Sequence, residues 1–337
     1  PVSFLPQQYW ATGNVRNQAI DDDLNRNVPN PFSTANLSAL QTSNPALYGY
    51  LRTQAFFTGS TIRKNQLLRA FPQMNGLTGV RPGISAADSM GRTRYHDFQF
   101  LFEKRYSRGL QSTVMYTYSY SETQDFYWDE YDARPSYEPN TLTRPHRLVW
   151  STIYELPFGK GRKWVQTGPI QHLIGGWQLS WVYQFQSGPP TSWGRYFYYG
   201  DLNNIQDVFN QEKAHSQDVH LWFDPNIAYR GTGPVPSGFS GFEGRAANQP
   251  GSFHRRVFPA RLGSLRADGV RGWDAKILRR FRFAERASFS VAADIINLTS
   301  HTNFGAPVTN PTNRDFGRVT GQQGVGRTIQ VAGRLEF

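Results

Sequence analysis

Basic side chains recur at alternate positions in this 337-residue chain. Lys276, Arg280 and Arg282 fall on one side of a two-residue repeat, and Arg334 holds a similar place in the last stretch. Cations spaced in this way share one face of an extended backbone. They would attract anionic groups. A second set is aromatic and acidic: D-F-Y-W-D-E-Y-D occupies residues 125–132 and W-G-R-Y-F-Y-Y occupies 193–199. Flat rings stack on sugars or apolar ligands, and polar neighbours orient them. Tyr127, Trp128, Asp129, Tyr131, Trp193 and Tyr196 are therefore candidate ligand contacts.

Bond-making chemistry finds little footing. Gly238-Phe239-Ser240-Gly241 lacks the spacing of a nucleophile elbow. Gly159-Lys160-Gly161-Arg162 lacks the glycine spacing and the Ser or Thr of a phosphate loop. His215 and His220 stand five apart and do not stack on a helix face, so no zinc site is expected. Asp21, Asp22 and Asp23 begin a calcium-like run. It fails where Arg26 replaces the required glycine and Phe32 the required glutamate. The reading is a solvated loop. Neither an enzyme nor a cofactor is expected.

The elements that carry these residues are strands. Trp177, Leu179, Trp181, Tyr183 and Phe185 alternate with Gln178, Ser180, Gln184 and Gln186. Residues 95–106 put Phe98, Phe100 and Phe102 opposite Asp97, Gln99 and Glu103. Residues 110–120, 147–156, 273–283 and 289–295 continue the series. The 147–156 stretch alternates less cleanly, with Val149 and Ile153 on the side of Arg147 and Glu155. The last stretch sets Ile329, Val331, Leu335 and Phe337 against Gln330, Arg334 and Glu336. A period of two gives each strand one apolar and one polar face.

Composition says where such faces belong. Mean hydropathy is −0.57, yet the chain holds 24 Phe, 17 Tyr and 9 Trp. A transmembrane barrel combines an apolar lipid face and aromatic rims with a polar lumen and loops. No apolar run approaches the ~20 residues of a membrane helix, so crossing would fall to strands. Net charge is +11 with scattered cations, which weakens a nucleic-acid reading. Cysteine is absent, which excludes disulfides.

The connections alternate between long and short. Residues 107–109 and 285–286 are tight turns, 158–176 is intermediate and basic, and 13–94, 122–145, 187–271 and 297–326 are long. Outer-membrane barrels keep short turns on the periplasmic side and long loops outside. With Phe337 at the periplasmic end, every long loop falls outside. In the long N-terminal stretch a short helix is expected near 36–53, with Ser33 or Thr34 as its cap. Residues 1–12 read as the tail of a strand. Tyr196 to Tyr199 would otherwise form an aromatic girdle near a strand end. Arg279, on an apolar face near a strand end, could snorkel to headgroups.

Several segments together resemble one family. They include Asn30-Pro31-Phe32, Gln66-Leu67-Leu68-Arg69, Tyr95-His96, Arg144-Pro145-His146-Arg147 and Glu155-Leu156-Pro157-Phe158-Gly159-Lys160-Gly161. Gly175-Gly176-Trp177-Gln178-Leu179, Asn297-Leu298-Thr299-Ser300-His301 and the last strand complete the series. Their order resembles the C-terminal half of the barrel in Oar-like TonB-dependent receptors, over nearly the whole chain. The resemblance implies an all-β antiparallel transmembrane barrel of 22 strands, placed in the bacterial outer membrane. Residues 1–337 would be the C-terminal portion of that one domain, with the plug and N-terminal domain lying outside it. It implies uptake of a bulky solute, with Phe337 as assembly signal. Expected partners are outer-membrane lipid and lipopolysaccharide, the barrel assembly machinery and, for the full-length receptor, TonB. The alternatives are a non-transporting surface, assembly or export component that binds a protein through its long loops, and a soluble basic β-protein binding nucleic acid.

Overall fold

A computed structural model describes residues 17–68, 72–74, 91–128, 132, 134–250, 254–282 and 287–337. Its main feature is an antiparallel wall of seven long strands, each paired with its neighbours in chain order. These are β1 (Arg92–Ser107), β2 (Leu110–Phe126), β3 (His146–Glu155), β4 (Trp177–Gln186), β5 (Val270–Arg282), β6 (Ser288–Ile296) and β7 (Thr328–Glu336). The shortest has 9 residues, the length a tilted strand needs to cross a bilayer. A short strand, Ser136–Pro139, also pairs with β2. Among the described residues the wall ends at β1 and β7 and does not close on itself.

Register makes the two faces continuous. One row runs Val114, Trp150, Tyr183, Trp273, and another runs Leu110, Tyr154, Leu179, Ile277, Ala293, Val331. One residue along, the row is polar: Gln111, Ile153, Ser180, Lys276, Asp294, Gln330. Cα partners share a face, so a slip by one would bring every charge to the apolar side. Register also resolves β3. Leu148, Trp150 and Tyr154 join the apolar face, and Val149 and Ile153 are apolar members of the polar one.

The apolar face is not a packed interior. Phe98 is 61% exposed, Val331 70% and Leu335 61%. Trp181 and Phe289 are half-buried beside rings on the same face, Trp150 at 5.5 Å and Phe281 at 6.3 Å. An apolar surface this continuous belongs against hydrocarbon. No described helix is long and apolar enough to cross a membrane.

The hydrophobic core lies elsewhere, in the connections. Trp193, Tyr198, Ile205, Phe209, Trp222, Phe223, Ile227, Ala228, Phe242, Phe258, Leu265, Phe316 and Val319 form one buried cluster. All come from the β4–β5 connection except Phe316 and Val319, which come from the β6–β7 connection. The long connection expected at 187–271 is itself folded. It holds short helices at Ile205–Phe209 and Gln211–Gln217 and short strands at Pro190–Ser192, Tyr198–Tyr199, Ala228–Tyr229, Gly241–Glu243 and Arg261–Arg266.

The N-terminal stretch is also more folded than its composition implied. Helices form at Gln18–Asn25, Ala39–Ser43, Pro45–Leu51 and Ala55–Thr58, and Asn27–Pro29 pairs with Thr61–Arg63. The helix expected near 36–53 is split at Asn44, whose side chain caps the second piece through the Leu47 N–H at 3.0 Å. Pro45 suits that first position because it has no N–H to lose. Ser33 and Thr34 are not its caps, since the first piece begins only after Ser38. The Asp21–Asp23 run is helical, and Asp23 pairs with Lys64 at 2.6 Å and Arg26 at 2.8 Å. The strand tail expected at 1–12 and the turn at 285–286 lie outside the described residues. β2 runs on to Phe126 because residues 120–124 keep pairing with 92–96.

Candidate functional site

The β2–β3, β4–β5 and β6–β7 connections leave one end of the wall, and there they build a module beside its polar face. Trp193 is its centre. The indole stacks on Phe242 at 5.1 Å with planes 9° apart, and Phe209, Phe223, Phe258 and Phe316 surround it within 6.3 Å. Its Nε1–H donates to Thr191 Oγ1 at 2.9 Å, and that hydroxyl donates to the Leu265 carbonyl at 2.9 Å. A buried indole needs such an acceptor.

A buried carboxylate ties the module to the wall. Glu138, 1% exposed, sits on the short strand beside β2. Its Oε1 accepts the Trp128 Nε1–H at 2.5 Å and the Ala260 N–H at 2.9 Å, and Arg261 lies 3.8 Å from Oε2. Arg261 also reaches Asp125 of β2 at 3.4 Å. A second tie joins the two connections that share the core. Asp218 pairs with Arg318 at 2.9 Å, and the His220 N–H and that guanidinium hold its carboxyl below the usual carboxylate range.

Tyr198 gives the module a pH limit. It is 1% exposed, and its hydroxyl has no hydrogen-bond partner among the described residues. Burial, reinforced by Asp201, pushes the phenol up to about 12. A raised phenol favours the folded state while it stays protonated, so this contribution is intact below pH about 10. It is lost as pH climbs from there to about 12. Alkaline titration followed by phenolate absorbance and protease sensitivity is expected to open the module in that window. Tyr198→Phe removes an unpartnered hydroxyl, so the module should be at least as stable and hold to higher pH.

Beneath the module, the polar face is hollowed in two places. One hollow of about 480 Å³ is lined by Gln99, Thr117, Ser119, Asn140, Thr143, Arg144, Arg147 and Gln186, among others, and none of its lining residues is acidic. Arg144 and Arg266 both donate to the Thr143 carbonyl, at 3.2 and 3.4 Å. Burial lowers both guanidinium pKa values, and Arg144 adds to the lowering at Arg266. The other hollow, about 380 Å³, lies at mid-wall beside Lys276, Asp274, Asp294, Ser180 and Thr113.

The residues singled out from sequence divide in this setting. Trp193 is a correction: at 5% exposure, with rings on both sides, it has no free face for a ligand. Tyr196 is half-buried against Phe242, and Phe197 and Tyr198 are buried, so the 196–199 run folds into the module and is not a membrane girdle. Trp128 is half-buried and spends its indole N–H on Glu138. Tyr127 is half-buried beside it, whereas Asp129 and Tyr131 lie outside the described residues.

Lys276, Arg280, Arg282 and Arg334 share the polar face by register. Lys276 is paired with Asp294 at 3.1 Å and Arg334 with Glu336 at 3.1 Å. That leaves less uncompensated charge than the spacing suggested. Arg279 is not a free snorkel; it stacks on Trp177 and Phe281 and donates to the His172 carbonyl. Phe337 is 96% exposed at the short-turn end. Sequence reading passed over Glu138 and the hollow around Arg144 and Arg147. The only trace was Arg144-Pro145-His146-Arg147, a dense cationic run at a strand start.

A meander of membrane-length strands, apolar outside and hollowed inside, with long folded connections at one end, defines a transmembrane β-barrel wall. Residues 8–330 match the outer membrane beta barrel domain family, and the chain belongs to it. It is an outer-membrane protein of bacteria, which overturns the soluble nucleic-acid reading. The solved outer membrane transporter YddB from Escherichia coli is similar at 11% identity and a TM-score of 0.36. That match spans 73% of this chain and 26% of the transporter. A search of the curated proteins gives no match.

Proposed function

We propose that this chain is part of the barrel of a TonB-dependent, Oar-like receptor that takes up a bulky solute. The observation that carries the reading is the hollow bearing Arg144 and Arg147 on the polar face, open beneath a folded module. Hydroxyl and amide groups line it, as suits a solute that sheds water in stages. Its two guanidiniums favour a solute carrying carboxylate or phosphate groups. The ordered motif series that resembles the Oar-like receptors supports the energy coupling, which belongs to the whole receptor.

Uptake of a labelled solute pool, compared between wild type, a strain without this protein and a strain without TonB, tests the reading. The same solutes should fail to enter in both mutants. Arg144→Gln with Arg147→Gln should weaken uptake of the anionic members, by about a hundredfold for two charge-assisted hydrogen bonds lost. Unchanged solute uptake together with lost export or surface assembly of a protein would favour a scaffold instead.

A further inference from the structure

The connection between β3 and β4 is a short-end segment too long for a turn, and among the described residues its hydrogen bonds go to itself and to the wall. It opens with a tight fold. The Gly159 N–H donates to the Trp164 carbonyl at 3.0 Å, the Trp164 N–H donates to the Pro157 carbonyl at 2.9 Å, and Phe158 and Trp164 rings lie 5.7 Å apart. It ends in a helical turn, Ile170–Ile174. Gly159 and Gly175 meet backbone to backbone. A Cβ on Gly159 would lie 2.8 Å from the Gly175 Cα, and Gly159 has a φ of +103°. Side chains at either position would push the helical turn away.

That turn sits on the apolar side of the wall. Its last carbonyls have no helical partner. The Trp177 Nε1–H donates to the Leu173 carbonyl at 3.1 Å, and Arg279 donates to the His172 carbonyl. Trp177 and Arg279 are Cα partners on the apolar face, at the short-turn end. The turn is thus held against the outer surface of the barrel. Its apolar residues nevertheless point away from protein: Ile170 is 60% exposed, Leu173 69% and Trp164 49%. Cations stand among them. Lys160 is exposed, and Lys163 lies over the Trp164 ring at 5.0 Å; Arg162 is engaged by Glu155.

We propose that residues 158–175 form an interfacial foot that embeds in the periplasmic leaflet of the outer membrane and binds phospholipid headgroups there. The occupant follows from continuity and charge. The foot extends the lipid-facing belt at the end where short turns face the periplasm. Apolar side chains beside lysines on a short amphipathic segment match an anionic lipid interface. Trp164 and Trp177 suit the same depth.

The test uses the intact protein carrying this chain, reconstituted in phosphatidylethanolamine–phosphatidylglycerol vesicles and checked by heat-modifiable migration. The chain has no cysteine, so Ile170→Cys, Leu173→Cys and, as an aqueous reference, Val325→Cys can each carry a polarity-sensitive fluorophore; any cysteine elsewhere is replaced by serine. Val325 is 66% exposed in the long β6–β7 connection. At 170 and 173 the label should emit blue-shifted, be quenched by shallow spin-labelled lipid and resist iodide several-fold better than at 325. Lys160→Glu with Lys163→Glu should raise iodide access at 173 several-fold in these vesicles. Iodide access at 170 and 173 equal to that at 325 overturns the proposal. So does shielding from iodide without quenching by lipid, which would mean a protein cover. An unchanged label in the double lysine variant overturns the headgroup contact.

Discussion

Trp193→Ala is expected to dissolve the loop module while the wall stays folded. The indole lies against all of Phe209, Phe223, Phe242, Phe258 and Phe316. Removing it leaves a ring-sized void among groups fixed by different connections, which cannot collapse inward together. Truncating a buried Trp costs about 3–5 kcal/mol. A module with a single core has little more than that to lose. Limited proteolysis should cut within 187–271, while heat-modifiable migration of the barrel persists. The same connections draw on Glu138, so Glu138→Ala should have a related but smaller effect. It strands the Trp128 and Ala260 N–H donors and the Arg261 charge, at about 3 kcal/mol. Intact loops in Trp193→Ala would mean that ties to the wall, and not the aromatic core, organise them.

Ile277→Arg should act on the wall instead. Ile277 stands between Leu179 and Ala293 in the apolar row, midway along β5. A guanidinium there must face hydrocarbon, which costs about 2–4 kcal/mol at the middle of a bilayer. The expected result is loss of the heat-modifiable species and accumulation in the periplasm. Ser180→Arg, one residue over in register and on the polar face beside Lys276, should assemble. Two arginines a few ångströms apart in the sheet would thus have opposite fates. Equal behaviour of the two would refute the assignment of faces.

The wall was legible because its signal is local. Trp177–Gln186 has the bounds its alternation predicts, since every second residue must meet lipid or water and nothing else competes. Strand 147–156 was ambiguous on its own. Val149 and Ile153 found their side only when Gln184 and Ser180 were paired to them. The module was not legible for the opposite reason. Its core joins Trp193 to Phe316, contacts that no periodicity marks. Tyr196 to Tyr199 read as a girdle because adjacent aromatics beside a strand end carry the same composition in either setting. Their burial is a tertiary fact. Lys276 and Arg334 share the polar face by register, and their partners Asp294 and Glu336, which spacing does not mark, decide how much field remains.

The placement of the aromatic core has a thermal consequence. The module hides its rings from water, so its unfolding should carry a large positive heat-capacity change and weaken in the cold. The wall presents its apolar side chains to lipid whether the module is open or closed, so its own melting depends on the amphiphile that surrounds it. Calorimetry in a series of detergents should therefore resolve two endotherms. One should drift with acyl-chain length, and the other should keep its midpoint and respond to urea alone.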